Sequence, residues 1–162
     1  ILFFRKTSKK GRPSHPSGRD IPMYLRFVTP LRDCDSGAET GFFRAAWYLY
    51  ETGCPDWIHY ELRRQFDWFD AHLPLPGRTA RCFKRRHAVR GVCWFRAEAT
   101  ACIHRAHYCA WLLSEGGLPV RLLKQRRLEE VMWRDEHQIV ARPDASAPRA
   151  FGTDRFRLQY AH

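Results

Sequence analysis

The clearest pattern in the chain is a helical spacing of apolar residues over residues 97–115. A turn of 100° per residue gathers six small or apolar side chains on one side of that segment. They are Ala99, Ile103, Ala106, Cys109, Ala110 and Leu113. Apolar residues 91–95 precede the segment, and residues 119–124 and 131–141, which are rich in branched side chains, follow it. A strand, a helix and two strands in this order predict a unit in which the helix packs on a sheet.

One strand and two helices are predicted upstream of this unit. Residues 24–28 alternate between apolar and polar positions and have high β-propensity, as a strand does. Ser36 and Glu39 have the spacing of a capping box, so a helix is expected to begin there and to end before Gly53. A second helix is expected over residues 56–72, with one apolar side made of Ile58, Leu62, Phe66, Phe69 and Leu73.

The expected fold class is α+β, as a single domain in the order β-α-α-β-α-β-β. We expect a mostly antiparallel four-stranded sheet with helices chiefly on one face, in a loosely ferredoxin-like arrangement. Residues 131–141 would form either one bent strand or a tight hairpin.

At 162 residues and 14% aromatic content, the chain can bury the core of one domain, which we place at residues 23–142. Residues 1–22 are rich in Ser, Pro, Gly and basic side chains. We expect them to be a disordered basic arm, or an upstream extension before a natural start at Met23. Residues 143–162 are expected to be a loose C-terminal tail.

The formal charge is +11, of which residues 1–22 carry +5 and residues 143–162 carry +1. Residues 78–90 contain six basic side chains and no acidic one. A solvated loop explains this run, but binding to a phosphate backbone is the alternative function. The residues that would bind nucleic acid are Arg81, Lys84, Arg85, Arg86, Arg90, Arg121, Lys124, Arg126 and Arg127.

Read linearly, the sequence suggests a metal site made of Cys102, His104, His107 and Cys109. On a helix the cysteines face the core and the histidines face away, so one ion cannot reach all four. We therefore expect no metal and no cofactor. Six cysteines without a C-x-x-C pair or an export signal favour a reduced, cytoplasmic protein. No apolar stretch approaches the ~20 residues of a membrane span.

Two sets of residues are candidates for binding a partner. His104, His107 and Trp111 share the outward side of the predicted helix, where they either pack against another element or form a surface with an aromatic anchor. Asp135, Glu136 and Gln138 lie at the break in the last strand segment. An acid–base function there is disfavoured, because neighbouring strand residues face opposite ways and turns favour polar residues.

No phosphate-binding loop, dinucleotide-binding glycine motif or G-x-S-x-G motif is present in the sequence. Cys93 has no activating neighbour in the sequence. No catalytic residue is therefore nominated. We expect a non-catalytic partner-binding or regulatory module with an unknown protein partner.

Several short motifs carry a family resemblance. They are Y-L-R-F-V at 24–28, G-F-F-x-A-A at 41–46, W-F at 68–69 followed by L-P-x-P at 73–76, C-W-F at 93–95, P-V-R-L-L at 119–123 and D-E-x-Q-I-V-A at 135–141. Together they resemble an uncharacterised family of small bacterial proteins over residues 23–143. The chain departs from that pattern at residues 127–130, where the family has a Pro-Gly turn, and at Arg134, which is usually acidic. The resemblance implies a shared fold and no assigned activity or catalytic residues.

Overall fold

The structure, a computed structural model, describes residues 22–33, 37–74, 91–143 and 149–151. Its strands are β1 (Tyr24–Arg32), β2 (Glu39–Gly41), β3 (Val92–Arg96), β4 (Arg121–Gln125), β5 (Val131–Arg134) and β6 (Gln138–Ala141). Its helices are α1 (Phe42–Thr52), α2 (Asp56–His72) and α3 (Thr100–Glu115). The described residues thus form an α+β structure with an antiparallel sheet, which confirms the predicted fold class.

Strand β1 is the centre of the sheet. One of its edges pairs with β4 from Tyr24 to Val28. The other edge is shared, because Tyr24 and Leu25 pair with β3 whereas Val28 and Arg32 pair with β2. On its other edge, β3 pairs with β6, and β6 in turn pairs with β5. As a result, β1 and β3 separate after Leu25.

The alternation of β1 gives the sheet two buried faces. Leu25, Phe27 and Leu31 belong to a large apolar cluster that also contains the buried apolar residues of all three helices. Val28 faces the other way and packs with Val92, Trp94 and Leu123 in a second, smaller cluster. The helices therefore lie on one face of the sheet, as predicted.

Helix α3 follows the apolar pattern that the sequence shows, with one shift. Ala106, Cys109 and Leu113 are buried as expected, but Leu112 is also fully buried and Ala110 is only half-buried. The shift has a simple cause, since α3 packs against both α1 and α2. Helix α2 has the predicted bounds, and α1 ends at Gly53, whose φ of 94° suits glycine.

The expected start of the first helix and the expected number of strands were wrong, whereas the hairpin at residues 131–141 was one of the two predicted alternatives. Glu39 does not cap a helix but begins β2, and α1 starts only at Phe42. The sheet has six strands among the described residues rather than four, because β2 is added and residues 131–141 form the hairpin β5–β6. The reason for β2 is that the C-terminal half of β1 would otherwise leave buried backbone groups without partners. The ferredoxin-like arrangement stays a prediction.

Within the described residues, no helix combines the length and the apolar character that a membrane crossing requires.

We predict that Gly116→Ala destabilises the fold through its contact with α1. A Cβ atom on Gly116 would lie 2.6 Å from Leu49 Cδ2, although the φ of −76° suits any residue. Overpacking of this kind lowers the free energy of unfolding by about 1–3 kcal/mol, which urea denaturation measures. Leu49→Ala alone should lower it by about 2–5 kcal/mol. The double variant should lose less than the two single losses together, and strict additivity would contradict the proposed clash.

Candidate functional site

Four exposed rings on α2 and α3 form what we call the α2–α3 aromatic surface: Trp57, Tyr60, Tyr108 and Trp111. The centroids of Trp57 and Trp111 lie 6.0 Å apart between the two helices, and Trp111 stacks on Tyr108 at 5.6 Å. Tyr60 lies one helical turn after Trp57 on α2. The four side chains expose between 37% and 64% of their area. Large rings clustered at a surface in this way are typical of a binding site.

Polar contacts between α2 and α3 hold this surface in place. The Tyr108 hydroxyl donates to Glu61 Oε2 at 3.3 Å. Further along the helix pair, Arg105 donates to Gln65 Oε1 at 2.8 Å, and its guanidinium lies 4.2 Å from the centroid of Trp68. Since these contacts bridge the two helices at separate points, the relative position of the rings is fixed.

The three residues that were predicted to share the outward side of α3 have different surroundings in the structure. His104, His107 and Trp111 are all exposed, as the helical geometry requires. Trp111 joins the aromatic surface, but the ring of His107 contacts Phe27 of β1 edge-on, with 4.8 Å between centroids. Trp111 thus lies among other exposed rings and His107 lies against the sheet, and the binding role of the three residues stays a prediction.

Sequence reasoning missed three of the four rings. Trp57 and Tyr60 are three residues apart on α2, and Tyr108 and Trp111 are three residues apart on α3. This spacing places each pair on one side of its helix and could have been noticed. That the two pairs meet depends on the packing of α2 against α3, which no local pattern reveals.

The second predicted set forms a turn between β5 and β6. Asp135 Oδ1 accepts hydrogen bonds from the backbone N–H groups of His137 and Gln138, both at 2.7 Å. The Gln138 side chain is buried and donates to the carbonyl of Pro74 at 2.7 Å. Glu136 is exposed and lies 3.1 Å from His137. Asp135 and Gln138 therefore already have structural partners, and the binding role of this set stays a prediction.

The cysteines and histidines of α3 lie as the helical argument requires. Cys102 and Cys109 are buried, and His104 and His107 are exposed. Burial raises the pKa of the Cys109 thiol to about 12. Across the parts of the chain that the structure describes, no cluster of three or more His, Cys, Asp or Glu residues could hold a metal ion.

The residues predicted to contact nucleic acid divide into three groups. Lys124, Arg126 and Arg127 are exposed at and after the end of β4. Arg121 instead donates to the carbonyl of Ala150 at 2.6 Å, and its guanidinium lies 4.8 Å from the ring centroid of Phe151. The other five lie outside the described residues: Arg81, Lys84, Arg85, Arg86 and Arg90. Nucleic-acid binding stays a prediction.

The short segment 149–151, within the tail that we expected to be loose, lies against the domain. The Glu39 carboxylate accepts the backbone N–H groups of Ala150 and Phe151 at 2.9 and 2.6 Å. Phe151 packs on the smaller apolar cluster of the sheet. Together with Arg121, these contacts bind both the backbone and the ring of the segment, and we call them the tail clasp.

A cleft of about 240 Å³ opens where β1 and β3 separate. Its walls include Arg26 from β1, Thr40 from β2, Cys93 and Trp94 from β3, and the first residues of α1. Sequence reasoning missed this cleft. The alternation that predicts β1 also predicts that Arg26 faces away from the helices, but no local signal shows that β1 and β3 pair at only two positions.

Charge in the cleft is dominated by arginine. The Arg26 guanidinium donates to the backbone carbonyl of Glu39 and lies 5.9 Å from the centroid of Trp94. Burial lowers its pKa, against the opposing influence of Cys93, Glu39 and Asp33. Asp33 pairs with Arg44 at 2.7 Å. The side chains of the cleft thus carry one net positive charge, provided that the Cys93 thiol is neutral.

Cys93 is neutral at pH 7. The side chain has exposed surface and lines the cleft. Burial raises the pKa of the thiol to about 11, although the charge of Arg26 opposes the rise. The neutral thiol is therefore the favoured form of Cys93 at neutral pH, and the nucleophilic thiolate is disfavoured.

No family model, curated protein or solved structure matches the chain. The resemblance to a family of small bacterial proteins therefore stays a prediction, and the function must be argued from the geometry.

We predict that Glu39→Gln loosens the tail clasp. A neutral amide accepts hydrogen bonds more weakly than a carboxylate, so the amides of Ala150 and Phe151 should exchange with solvent about tenfold faster. Residue-resolved hydrogen exchange measures this change. Glu130→Gln, which removes an exposed carboxylate paired with Arg142, is the matched control and should leave both amides unchanged. Unaltered exchange in Glu39→Gln would contradict the clasp.

We predict that Cys93 reacts slowly with iodoacetamide at neutral pH. Because only the thiolate reacts, a rise of the pKa from the ordinary 9.0 to about 11 lowers the rate about 100-fold relative to an unstructured reference peptide. The rate should keep increasing up to about pH 11, as followed by peptide mass spectrometry. A rate that reaches its plateau below pH 9 would show an activated thiol instead.

Proposed function

We propose that this chain is a non-catalytic binding module, and that the α2–α3 aromatic surface pairs with the same surface of a second copy. The observation that supports the proposal is the set of four exposed rings on two packed helices, of which Trp57, Trp111 and Tyr108 contact one another. Tryptophan and tyrosine at the centre of a contact contribute more binding energy than most other residues.

The charges beside the rings favour a partner whose contacting surface carries no net charge. On α2, Arg63 pairs with Asp67 at 3.2 Å, and Arg64 pairs with Glu61 at 3.0 Å. With these pairs internally balanced, this part of the surface attracts neither an acidic nor a basic partner strongly. An identical surface satisfies this condition, and a twofold axis places the same residues opposite one another.

The chemistry of the rings also favours a second copy of the chain as the partner of this surface. The edges and faces of aromatic rings carry opposite partial charges, so a set of tryptophans and tyrosines complements a rotated copy of itself. From the exposed fractions, the four rings offer about 300–500 Å² of contact. This is roughly half of the ~800 Å² per partner of a standard interface. A reversible dimer is therefore expected rather than a permanent one.

We predict that the full chain self-associates in sedimentation experiments between about 1 and 100 µM. Trp111→Ala and Trp57→Ala should each raise the dissociation constant by about 30-fold, because they remove central rings. This rise of the dissociation constant should be nearly independent of salt concentration, since the contact is largely apolar.

The matched control is Trp47→Ala. Trp47 on α1 is 61% exposed and contacts Tyr50 of the same helix, whose ring lies against His59 of α2 rather than against the four rings. Its replacement should leave the dissociation constant unchanged. A chain that stays monomeric throughout, or that dissociates equally in all three variants, would rule out self-pairing through this surface. Binding to RNA that weakens steeply with salt would support the alternative, nucleic-acid function.

A further inference from the structure

The cleft between β1 and β3 has the features of a binding site that the aromatic surface does not use. We propose that it binds a small oxyanion, a carboxylate or a phosphate carried on an apolar group. The proposal rests on three independent groups that converge there: a buried guanidinium, an unsatisfied buried hydroxyl and a helix N-terminus.

The guanidinium of Arg26 is the first group. It is mostly buried, and in the part of the chain that the structure describes its hydrogen bond to the Glu39 carbonyl occupies one of its five N–H donors. Among the described residues it forms no ion pair within 4 Å. A buried cation without a close counter-ion is unfavourable, and an anion in the cleft would offset that penalty.

The hydroxyl of Thr40 is the second group. The side chain is 1% exposed and lines the cleft, yet its Oγ1 has no hydrogen-bond partner among the residues that the structure describes. Buried hydroxyl groups nearly always have a partner. An unsatisfied one in the wall of a cleft is explained by a ligand atom that accepts its hydrogen.

The N-terminus of α1 is the third group. Gly41 to Arg44 line the cleft, and they are the cap and first turn of an 11-residue helix. Gly41 supplies no capping side chain to the first turn of α1. The partial positive charge of a helix N-terminus attracts oxyanions, and backbone N–H groups point toward them.

The remaining charges and walls define the ligand further. Asp33 is the carboxylate in the cleft wall and pairs with Arg44 at 2.7 Å, so the side chains that line the cleft keep one net positive charge. Phe42, Phe43, Trp94 and Phe95 contribute apolar wall. The volume is below the ~300 Å³ at which drug-sized pockets begin. The site therefore suits a single charged group on a small apolar or aromatic body.

Isothermal titration of the full chain with phenyl phosphate, benzoate and inorganic phosphate tests the proposal at constant ionic strength. Benzyl alcohol is the neutral matched probe. We expect one site per chain for phenyl phosphate or benzoate, and at least tenfold weaker binding of benzyl alcohol. Stronger binding of phenyl phosphate than of benzoate would assign the ligand to the phosphates, and the reverse order would assign it to the carboxylates.

Three variants locate the site. Arg26→Gln should weaken binding about 30-fold or more, because it removes a buried charge. Thr40→Val keeps the shape, so it should leave the melting temperature unchanged or higher while it weakens binding about tenfold. Lys124→Gln removes an equal charge from the exposed side of β4 and should have no effect.

If Arg26→Gln fails to fold, the affinity of Thr40→Val for the anion tests the proposal. Unchanged affinity in Thr40→Val would overturn the proposal. Equal binding of benzyl alcohol would overturn it as well, and so would an equal loss of affinity in Lys124→Gln, which would show adsorption to the basic surface. An absence of binding up to about 10 mM, where affinity falls below any useful value, would also overturn it.

Discussion

The hydrogen bonding of β1 is the constraint on which the rest of the structure depends. The strand is nine residues long and contributes buried residues to both apolar clusters, so water cannot satisfy its backbone groups. Strand β4 satisfies one edge, but β3 reaches only two positions on the other. Strand β2 must complete that edge. Because β2 continues directly into α1, the same requirement brings the N-terminus of α1 to the gap between β1 and β3.

Glu39 connects the two faces of this arrangement. Its backbone carbonyl accepts a hydrogen bond from Arg26 at the cleft, and its carboxylate accepts the amides of Ala150 and Phe151. Its negative charge also favours the charged form of Arg26. One buried acidic residue thus supports a buried cation and a docked segment at once. A change at Glu39 should therefore be felt in both the cleft and the tail clasp, although they are formed by different elements.

The sequence was sufficient where local periodicity determines the outcome, and insufficient where pairing does. The bounds of α2, the end of α1 at Gly53 and the buried side of α3 follow from spacing and helix-ending residues. Glu39 shows where spacing alone fails. Its capping-box spacing predicts a helix start, but Glu39 lies in β2 and α1 begins three residues later, at Phe42. Trp111 was identified because it lies opposite the apolar side of α3. Its partner Trp57 and the cleft at Arg26 arise from contacts between distant segments, for which a single sequence holds no local signal.

The groups that could have performed chemistry are held in forms that favour binding instead. Cys93 is a neutral thiol because burial outweighs the charge of Arg26. Asp135 is engaged by the backbone of the β5–β6 turn, and Gln138 is bonded to the carbonyl after α2. The accessible groups are instead the aromatic rings on α2 and α3 and the hydrogen-bond donors that line the cleft. These are the two sets of groups on which the proposals of self-pairing and of anion binding rest.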